Sequence, residues 1–256
     1  MLLATWNVNS IRARLRHVSQ LLERHHPDFL LLQEIKCEGA SFPAAEFKAL
    51  GYTAEVVGQK GYNGVAVLSR NRVEVRQRRL PRLREGAADA RYLEFESEGM
   101  VLASVYVPNG NSGGAAGFAA KLAFLAHLAE RLEALLAEDL ALAIGGDFNV
   151  CPTPEDAAPG ALAPDDALVR PESRAAFRRF LWLGLTDAVR ALRPTGPAYT
   201  FWDYQGGAFD RDLGLRIDHV LLSPTLAERL GEAEICRGER AADQPSDHVP
   251  VMVRLK

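Results

Sequence analysis

The sequence predicts an α+β protein in which two mixed β-sheets pack face to face with helices on the outside. In the 256-residue chain, predicted strands outnumber helices, and many strands follow one another closely enough to pair as hairpins. Helical crossovers occur in each half. Two apolar strands end in an aromatic residue followed by Asn-Val, at Trp6–Val8 and Phe148–Val150. This repetition suggests two similar halves, which two packed sheets would satisfy.

The first half of the chain combines short apolar strands with one helix. Leu2–Trp6 predicts a strand, and apolar residues at helical spacing predict a helix from about Ile11 to His25, which Pro27-Asp28 breaks. Further strands are predicted at residues 29–36, 52–58, 64–70, 91–96 and 100–110. Several are separated by turn residues, so we expect hairpins.

The second half contains the clearest helix, an Ala/Leu-rich segment from Phe118 to Glu138. The apolar strand at 140–150 follows it, and the Pro/Ala/Asp-rich segment after that strand predicts a long surface loop. Ser173 is predicted to cap a short helix that reaches Leu183. The remaining predicted strands are at residues 198–204, 215–223 and 247–255. No linker-like composition divides the chain, so we expect one domain over residues 1–256.

The composition is that of a water-soluble globular protein, with 48% hydrophobic and 25% charged residues. No stretch approaches the ~18 apolar residues of a membrane span, and no signal peptide is apparent. The three cysteines are scattered without a CxxC spacing, which argues against a disulfide framework or a structural zinc. We therefore expect a cytoplasmic monomer without a membrane partner.

The charge distribution leaves two interpretations open. The net charge of −3 argues only weakly against nucleic acid, since a net charge hides how charges are arranged. Residues 70–84 concentrate seven arginines. This run is either a solvated face or part of a surface that contacts DNA phosphates.

Polar residues occur where apolar strands end. They are Asn7, Asn9, Glu34, Tyr106, Asn109, Asp147, Asn149, Asp218, His219, Asp247 and His248. Any one of them could be a turn former or a satisfied core residue. Ligands tend to bind at strand ends on a rigid scaffold. The recurrence of polar residues at these strand ends therefore predicts a ligand-binding or active site.

These residue types suit hydrolysis of a phosphoester. Glu34 and Asp247, with amide oxygens of Asn7 and Asn9, form an all-oxygen set that favours Mg²⁺ or Mn²⁺ over zinc. Asp218 and His248 could form a carboxylate–imidazole pair. The carboxylate would favour the protonated imidazole, and this cation would stabilise the negative charge that develops on phosphate. Asp147, oriented by Asn149, could act as a base for water or as a proton donor to the leaving oxygen.

The sequence resembles the exonuclease III-type apurinic/apyrimidinic (AP) endonucleases, within the endonuclease/exonuclease/phosphatase (DNase I-like) superfamily. Eight segments occur in the expected order: "ATWNVNSIR", "LLLQEIK", "GYNGVAVLSR", "VYVPNG", "GGDFNV", "YTFWDY", "GLRIDHVLLS" and "SDHVPV". They span almost the whole chain. The resemblance implies a four-layer αββα sandwich. It also implies Mg²⁺-dependent hydrolysis 5′ to an abasic site in duplex DNA, with 3′→5′ exonuclease and 3′-phosphodiesterase/phosphatase activity, in base excision repair.

The resemblance also implies roles for the metal-binding residues. Glu34 corresponds to the main metal carboxylate, with Asn7 and Asp247 contributing. Asn9 stands where some relatives have a metal-binding aspartate, and this departure puts a second metal in doubt. Mg²⁺ is the expected cofactor, with Mn²⁺ as a plausible substitute.

The resemblance assigns five catalytic positions. Asp147 corresponds to the catalytic aspartate, assigned either as base or as acid, and Asn149 to the residue that orients the nucleophile. Tyr106 corresponds to a residue near the phosphate. His248 and Asp218 match the His–Asp pair beside the scissile phosphate.

The catalytic residues alone do not name the substrate, since the superfamily also includes inositol-polyphosphate phosphatases and sphingomyelinases. The resemblance places Phe201, Trp202, Leu215 and Ile217 around a flipped-out abasic sugar, which a small apolar pocket would accept. Alternatively, these residues belong to the core.

DNA-backbone contacts are expected from Arg12, Lys60, Tyr62, Asn109 and Arg216. The expected partner is double-stranded DNA with abasic sites or blocked 3′ ends. An inositide phosphatase would need a dense Lys/Arg pocket instead. A non-catalytic DNA-binding or scaffold protein would have lost catalytic positions, none of which is lost here.

Overall fold

The computed structural model describes residues 1–83 and 90–256. Its strands are β1 (Leu2–Asn7), β2 (Phe29–Gln33), β3 (Thr53–Val57), β4 (Val65–Ser69), β5 (Glu74–Gln77), β6 (Tyr92–Ser97), β7 (Met100–Tyr106), β8 (Ala141–Asp147), β9 (Thr186–Asp187), β10 (Asp218–Leu222), β11 (Leu230–Ile235) and β12 (Val251–Leu255). Its α-helices are α1 (Leu15–His25), α2 (Ala44–Ala49), α3 (Gly114–Ala137), α4 (Pro171–Trp182), α5 (Ala188–Leu192) and α6 (Pro224–Ala227). Short 3₁₀ turns lie at Gly39–Ser41, Pro154–Asp156 and Arg237–Ala241.

The strands form two mixed six-stranded sheets. The first has the order β11-β12-β1-β2-β4-β3, and the second has the order β5-β6-β7-β8-β10-β9. Each sheet contains one parallel pair, β1 with β2 and β7 with β8, among antiparallel neighbours. The mixed sheets predicted from the sequence are therefore confirmed.

Alternating burial along the strands produces four layers. In β2, Phe29 and Leu31 pack between the two sheets, whereas Leu30 and Leu32 pack on the other side, against Val18 of α1 and other residues of that cluster. This follows because successive side chains of a strand point to opposite faces. The outer face of the second sheet is covered by α3 and α4. The αββα sandwich is thus confirmed.

Helix boundaries differ from the sequence prediction near their starts. Helix α1 begins at Leu15 rather than Ile11, because Ile11 donates its backbone N–H to the oxygen of Ile35 and is held in a turn. Helix α4 begins at Pro171, a residue well suited to the first turn. The predicted Ser173 cap is wrong, since its hydroxyl donates to the oxygen of Ala167 at 2.6 Å from inside the helix.

The predicted strand at residues 198–204 is also wrong. The backbone of Phe201 exchanges hydrogen bonds with Leu215, but the next residue, Trp202, donates to Asp247. Because neighbouring residues pair with different segments, only isolated bridges form. The prediction missed β11, whose exposed glutamates are typical of a protected sheet edge.

The cysteines Cys37, Cys151 and Cys236 are free and buried. Burial raises the pKa of all three thiols, to about 12 for Cys151 and Cys236. Their reactive thiolate forms are therefore scarce at neutral pH. Among the described residues, no helix has the length and apolar character needed to cross a membrane.

Candidate active site

The site lies where strands of both sheets end together. In the second sheet, β7 and β8 run parallel and pair Tyr106 with Asp147, while β10 runs antiparallel and pairs Asp218 with Asp147. Three polar residues, Tyr106, Asp147 and Asp218, therefore lie side by side where these three neighbouring strands meet the loops. In the first sheet, β1 ends at Asn7, whose side chain reaches across to Asp147. The order of the strands brings these distant residues into one place.

The two glycines before Asp147 allow the sheets and strands to approach closely. A Cβ on Gly146 would lie 1.9 Å from the backbone oxygen of Val105, so no larger residue fits there. A Cβ on Gly145 would lie 3.0 Å from Leu31 in the other sheet. Small residues at this point let Asp147 reach the side chains of the first sheet.

His248 is held by a buried carboxylate. Nδ1 of His248 lies 2.9 Å from Oδ2 of Asp218, which also accepts a 2.6 Å hydrogen bond from the hydroxyl of Thr200. Because a carboxylate only accepts, Nδ1 carries the proton and Nε2 faces Asp147. Burial alone would lower the pKa of His248, but attraction to Asp218 and Asp147 outweighs it and raises the pKa to about 10. The ring is therefore a cation at neutral pH.

Asp147 is buried among hydrogen-bond donors. Its Oδ2 accepts from Nδ2 of Asn7 at 2.9 Å, and its Oδ1 accepts from the backbone N–H of Asn149 at 2.9 Å. Nε2 of His248 lies 3.7 Å from Oδ2. Burial raises the pKa of Asp147 to about 7, although His248 opposes the shift. A carboxylate with this pKa can exchange protons readily near neutral pH.

Glu34 follows β2 in a left-handed backbone conformation, with φ of 49°. Its Oε1 accepts from Nδ2 of Asn7 at 2.9 Å, and its Oε2 is paired with the ammonium of Lys36 at 2.9 Å. Burial would raise the pKa of Glu34, but the hydrogen bond from Asn7 and the charge of Lys36 lower it. Burial and the nearby charges of Glu34 and Asp147 raise the pKa of Tyr106, so the hydroxyl keeps its proton.

Ligand atoms of Glu34, Asp147 and His248 lie within 4.8 Å of one another. Because the protonated His248 has no free lone pair, the carboxylates of Glu34 and Asp147 are the candidate metal ligands of this group. The two carboxylates fit a hard cation such as Mg²⁺. The amide of Asn7 presents its nitrogen to both carboxylates, because its oxygen is bound by the backbone N–H of Asn9 at 3.0 Å. In this arrangement Asn7 orients the two carboxylates, and its side-chain oxygen is not directed at the position of a bound cation.

Asp247 and Asn9 lie beside Glu34 but outside that group of three. Nδ2 of Asn9 donates to Oδ1 of Asp247 at 3.1 Å. Lys36 also donates to Oδ1 of Asn9 and so connects this pair to Glu34. Lys36 is a site residue that was not predicted from the sequence; its position two residues after Glu34, at the end of the same apolar segment, was the available signal.

Asn149 and Asn109 are bound to each other. Nδ2 of Asn109 donates to Oδ1 of Asn149 at 3.1 Å, and Nδ2 of Asn149 donates to the oxygen of Val107 at 2.9 Å. Asn149 is buried, whereas Asn109 is exposed at the rim. Asn109 lies three residues after the end of β7 at Tyr106, and Asn149 lies two residues after the end of β8 at Asp147.

The four residues predicted to line a sugar pocket divide between two clusters. Phe201 packs with Leu215 and Ile217, and its ring lies 4.9 Å from that of His248. Trp202 packs instead with Ala208 and Val249, is 1% exposed, and donates Nε1 to Asp212 at 3.0 Å. The prediction that Trp202 lines the sugar pocket beside the other three is therefore corrected: Trp202 belongs to the core, since consecutive residues of an extended segment point to opposite sides.

Arg216 does not reach the surface. Its guanidinium bonds Oδ1 of Asp156 and Oδ2 of Asp187, each at 2.7 Å, and the residue is 0% exposed. The predicted DNA contact of Arg216 is wrong, because both carboxylates hold it inside the protein. His219 belongs to the same buried network, with Nδ1 3.0 Å from Nη1 of Arg216.

The other predicted DNA-contact residues remain accessible. Arg12 and Lys60 are exposed, and Tyr62 is 74% exposed. The loop that carries Lys60 and Tyr62 is tied to the site, because the backbone N–H of Lys36 donates to Asn63 at 2.9 Å.

Four arginines of the 70–84 run pair with glutamates, which supports the solvated-face interpretation of that run. The pairs are Arg72–Glu74, Arg76–Glu138, Arg78–Glu55 and Arg82–Glu130. The last arginine of the run, Arg84, lies outside the described residues.

Comparison with known proteins identifies the family of this chain. The profile of the Endonuclease/Exonuclease/phosphatase family matches residues 4–248. The chain is 35% identical to Exodeoxyribonuclease III of Haemophilus influenzae, over 98% of both chains. An AP endonuclease structure from Archaeoglobus fulgidus has a TM-score of 0.94 at 35% identity, covering 100% of this chain and 99% of that one. The structure of the 3′ phosphatase NExo from Neisseria, bound to a product DNA hairpin, has a TM-score of 0.92 at 36% identity, with coverage of 100% and 99%. By sequence and by fold, the chain belongs to the Endonuclease/Exonuclease/phosphatase family.

Proposed function

We propose that this chain is a Mg²⁺-dependent DNA repair nuclease that hydrolyses the phosphodiester 5′ to an abasic site in duplex DNA. We also propose that it acts on blocked 3′ ends, as a 3′→5′ exonuclease and 3′-phosphodiesterase/phosphatase. The observation that carries the proposal is the position of Asp147, in contact range of a His248 cation and accepting hydrogen bonds from Asn7 and Asn149. The names of the relatives, which include an exodeoxyribonuclease III, an AP endonuclease and a 3′ phosphatase, supply the substrate class.

In the proposed reaction Asp147 acts as the base. Both of its oxygens accept from N–H donors, which stabilise the ionised carboxylate against the burial that raises its pKa to about 7. Asp147 takes a proton from water as the water oxygen bonds to phosphorus. The bond from phosphorus to the 3′ oxygen breaks, and that oxygen leaves with the electron pair and is then protonated. The imidazolium of His248, held by Asp218, stabilises the negative charge that develops on the phosphate oxygens.

Glu34 is the proposed main carboxylate for Mg²⁺, with Asp247, Asn9 and Asn7 beside it. When bound, the cation would polarise a phosphate oxygen, and Mn²⁺ is a plausible substitute. The hydroxyl of Tyr106 stays protonated and can donate to phosphate. Phe201, packed against His248, is the proposed apolar contact to the bare sugar.

We further propose backbone contacts from Arg12, Lys60, Tyr62 and Asn109, and activity of a monomeric, single-domain protein. Its free cysteines suit the reducing cytoplasm expected from the sequence.

The test is cleavage of a duplex that carries one tetrahydrofuran abasic analogue, with Mg²⁺ or with EDTA. We expect incision 5′ to the analogue in the presence of Mg²⁺ and no incision in the presence of EDTA. A second duplex with a 3′-phosphate end measures the 3′ activity separately. An uncut abasic duplex would contradict the endonuclease proposal, and hydrolysis of an inositol polyphosphate in its place would favour that alternative.

A further inference from the structure

Helix α3 carries a lysine on the face that it buries. Its buried positions include Phe118, Leu125, Leu128 and Leu132, and Lys121 occupies the same face with 0% exposure. A buried ammonium is costly unless its protons are hydrogen-bonded. The surroundings of Lys121 must therefore supply acceptors.

Three backbone oxygens from different loops meet the ammonium of Lys121. Nζ donates to the oxygens of Asn109 at 3.0 Å, Asn149 at 2.6 Å and Ala167 at 3.1 Å. An ammonium has three protons, and all three are used. Lys121 therefore has no proton left for a DNA phosphate or a reacting atom.

Two of these three loops carry site asparagines. Asn109 and Asn149 are joined by the 3.1 Å hydrogen bond between their side chains, and the backbone N–H of Asn149 holds Oδ1 of Asp147. A shift of the Asn149 backbone would therefore move the carboxylate of Asp147. The lysine lies at one end of a continuous chain of contacts that ends at the proposed base.

The chain packs closely around the stem of the lysine. A Cβ on Gly110 would lie 2.7 Å from Cδ of Lys121 and 3.2 Å from Cβ of Ala167. Burial lowers the pKa of Lys121 to about 8, so the side chain keeps its charge at neutral pH.

We propose that Lys121 is a positioning residue for the reaction: its ammonium fixes the backbones of Asn109 and Asn149 and, through Asn149, the carboxylate of Asp147. This inference rests on the proposed function, because the reaction supplies one of its two readouts. It differs from a purely structural role, in which Lys121 would stabilise the fold without affecting turnover.

Lys121→Met tests the inference, since it keeps the length of the side chain and removes all three donors. With the abasic duplex at saturation, we expect kcat to fall at least ~10-fold while KM changes less than about 3-fold, because small misplacements of reacting groups slow catalysis. The matched control is Leu128→Ala, on the same buried face of α3, which should lower the melting temperature and leave kcat unchanged. An unchanged kcat in folded Lys121→Met would overturn the proposal.

A second measurement needs no substrate. In ¹H–¹⁵N NMR spectra, the side-chain amide of Asn149 should shift and exchange faster in Lys121→Met but not in Leu128→Ala. If Lys121→Met does not fold, Lys121→Gln, which keeps two donors, takes its place with smaller effects in the same direction. Unchanged Asn149 signals in the folded variant would refute positioning. An uncut abasic duplex with wild-type protein would instead refute the proposed function alone.

Discussion

Nε2 of His248 lies 3.7 Å from Oδ2 of Asp147, while Nδ1 of the same ring lies 2.9 Å from Asp218. The imidazolium is thus held between two carboxylates. His248 precedes β12 of the first sheet, whereas Asp147 and Asp218 belong to the second. The relative position of the proposed cation and base therefore depends on how the two sheets pack.

Asp147→Asn should reduce turnover of the abasic duplex by about 10²–10⁴-fold, the usual contribution of a general base. The amide keeps the shape of the side chain but cannot take a proton. DNA affinity, measured by fluorescence anisotropy, should stay within about 3-fold of wild type. A kcat close to the wild-type value would show that another group is the base.

Asp218→Asn should shift the pH dependence of the reaction toward acid. Attraction to Asp218 and Asp147 raises the pKa of His248 above its ordinary value, so loss of one carboxylate lowers that pKa. The variant should therefore lose the imidazolium at a lower pH than wild type does. The alkaline limb of the pH profile of kcat should move down by at least about one unit. An unmoved alkaline limb would argue against the cation.

Glu34→Ala should raise the Mg²⁺ concentration needed for half-maximal activity by at least ~10-fold, since a carboxylate ligand is lost. Mg²⁺ and Mn²⁺ titrations of cleavage measure the effect. Glu38→Ala is the control, because Glu38 is exposed in the segment that follows. Equal metal titrations for Glu34→Ala and wild type would exclude Glu34 as a ligand.

Phe201→Ala and Trp202→Ala should have different effects although the residues are adjacent. Phe201 packs against His248, so its loss should weaken binding of the abasic duplex by ~1–3 kcal/mol. Trp202 is buried in the core, so its loss should lower the free energy of unfolding by ~3–5 kcal/mol. Urea unfolding and binding titrations separate the two. Weaker abasic binding by a folded Trp202→Ala variant, with Phe201→Ala unaffected, would reverse the assignment.

Arg216→Met should lower stability by ~3–5 kcal/mol at pH 7, because it removes the guanidinium that two buried carboxylates share. Asp156 then keeps Arg190, whereas Asp187 loses its arginine partner. Burial would raise the pKa of Asp156, but Arg216 and then Arg190 lower it from 3.8 to about 2, and Asp187 is also lowered. Stability from these lowered pKa values is present above pH 3.8 and is lost as pH falls toward 2. Without Arg216, burial dominates and the loss should begin at higher pH. Thermal unfolding between pH 7 and 2 measures this.

Arg254→Met is the control for Arg216→Met, because Arg254 forms an exposed pair with Glu232. It should change stability by no more than ~1 kcal/mol. Equal losses in the two variants would show that the buried network has no special contribution.

The two-sheet fold could be predicted because its signals are local. Short apolar strands and turn residues predict most of the strands of the two sheets, and polar residues at strand ends indicate the site. The structure does bring Asn7, Glu34, Asp147 and His248 together. What a sequence does not state is which side of an irregular segment faces inward. For that reason the sequence leaves Trp202 open between the sugar pocket and the core, and it does not show that Arg216 is buried.

The contacts of Lys36 and Lys121 could not be predicted from the sequence either. A lysine usually lies in solvent, and only the three-dimensional arrangement shows that loops far apart in the chain present oxygens to Lys121. Glu34 was recognisable as an acid at a strand end, but the ion pair with Lys36 depends on the left-handed turn at Glu34.

The three shielded cysteines make this protein convenient for fluorescence work. Their thiols are buried and poorly ionised, so a maleimide dye would react slowly with the native chain. One cysteine introduced at an exposed position of an outer helix, such as Glu23→Cys on α1, would become the preferred attachment point. Single molecules could then be followed along stretched DNA without first removing any native thiol.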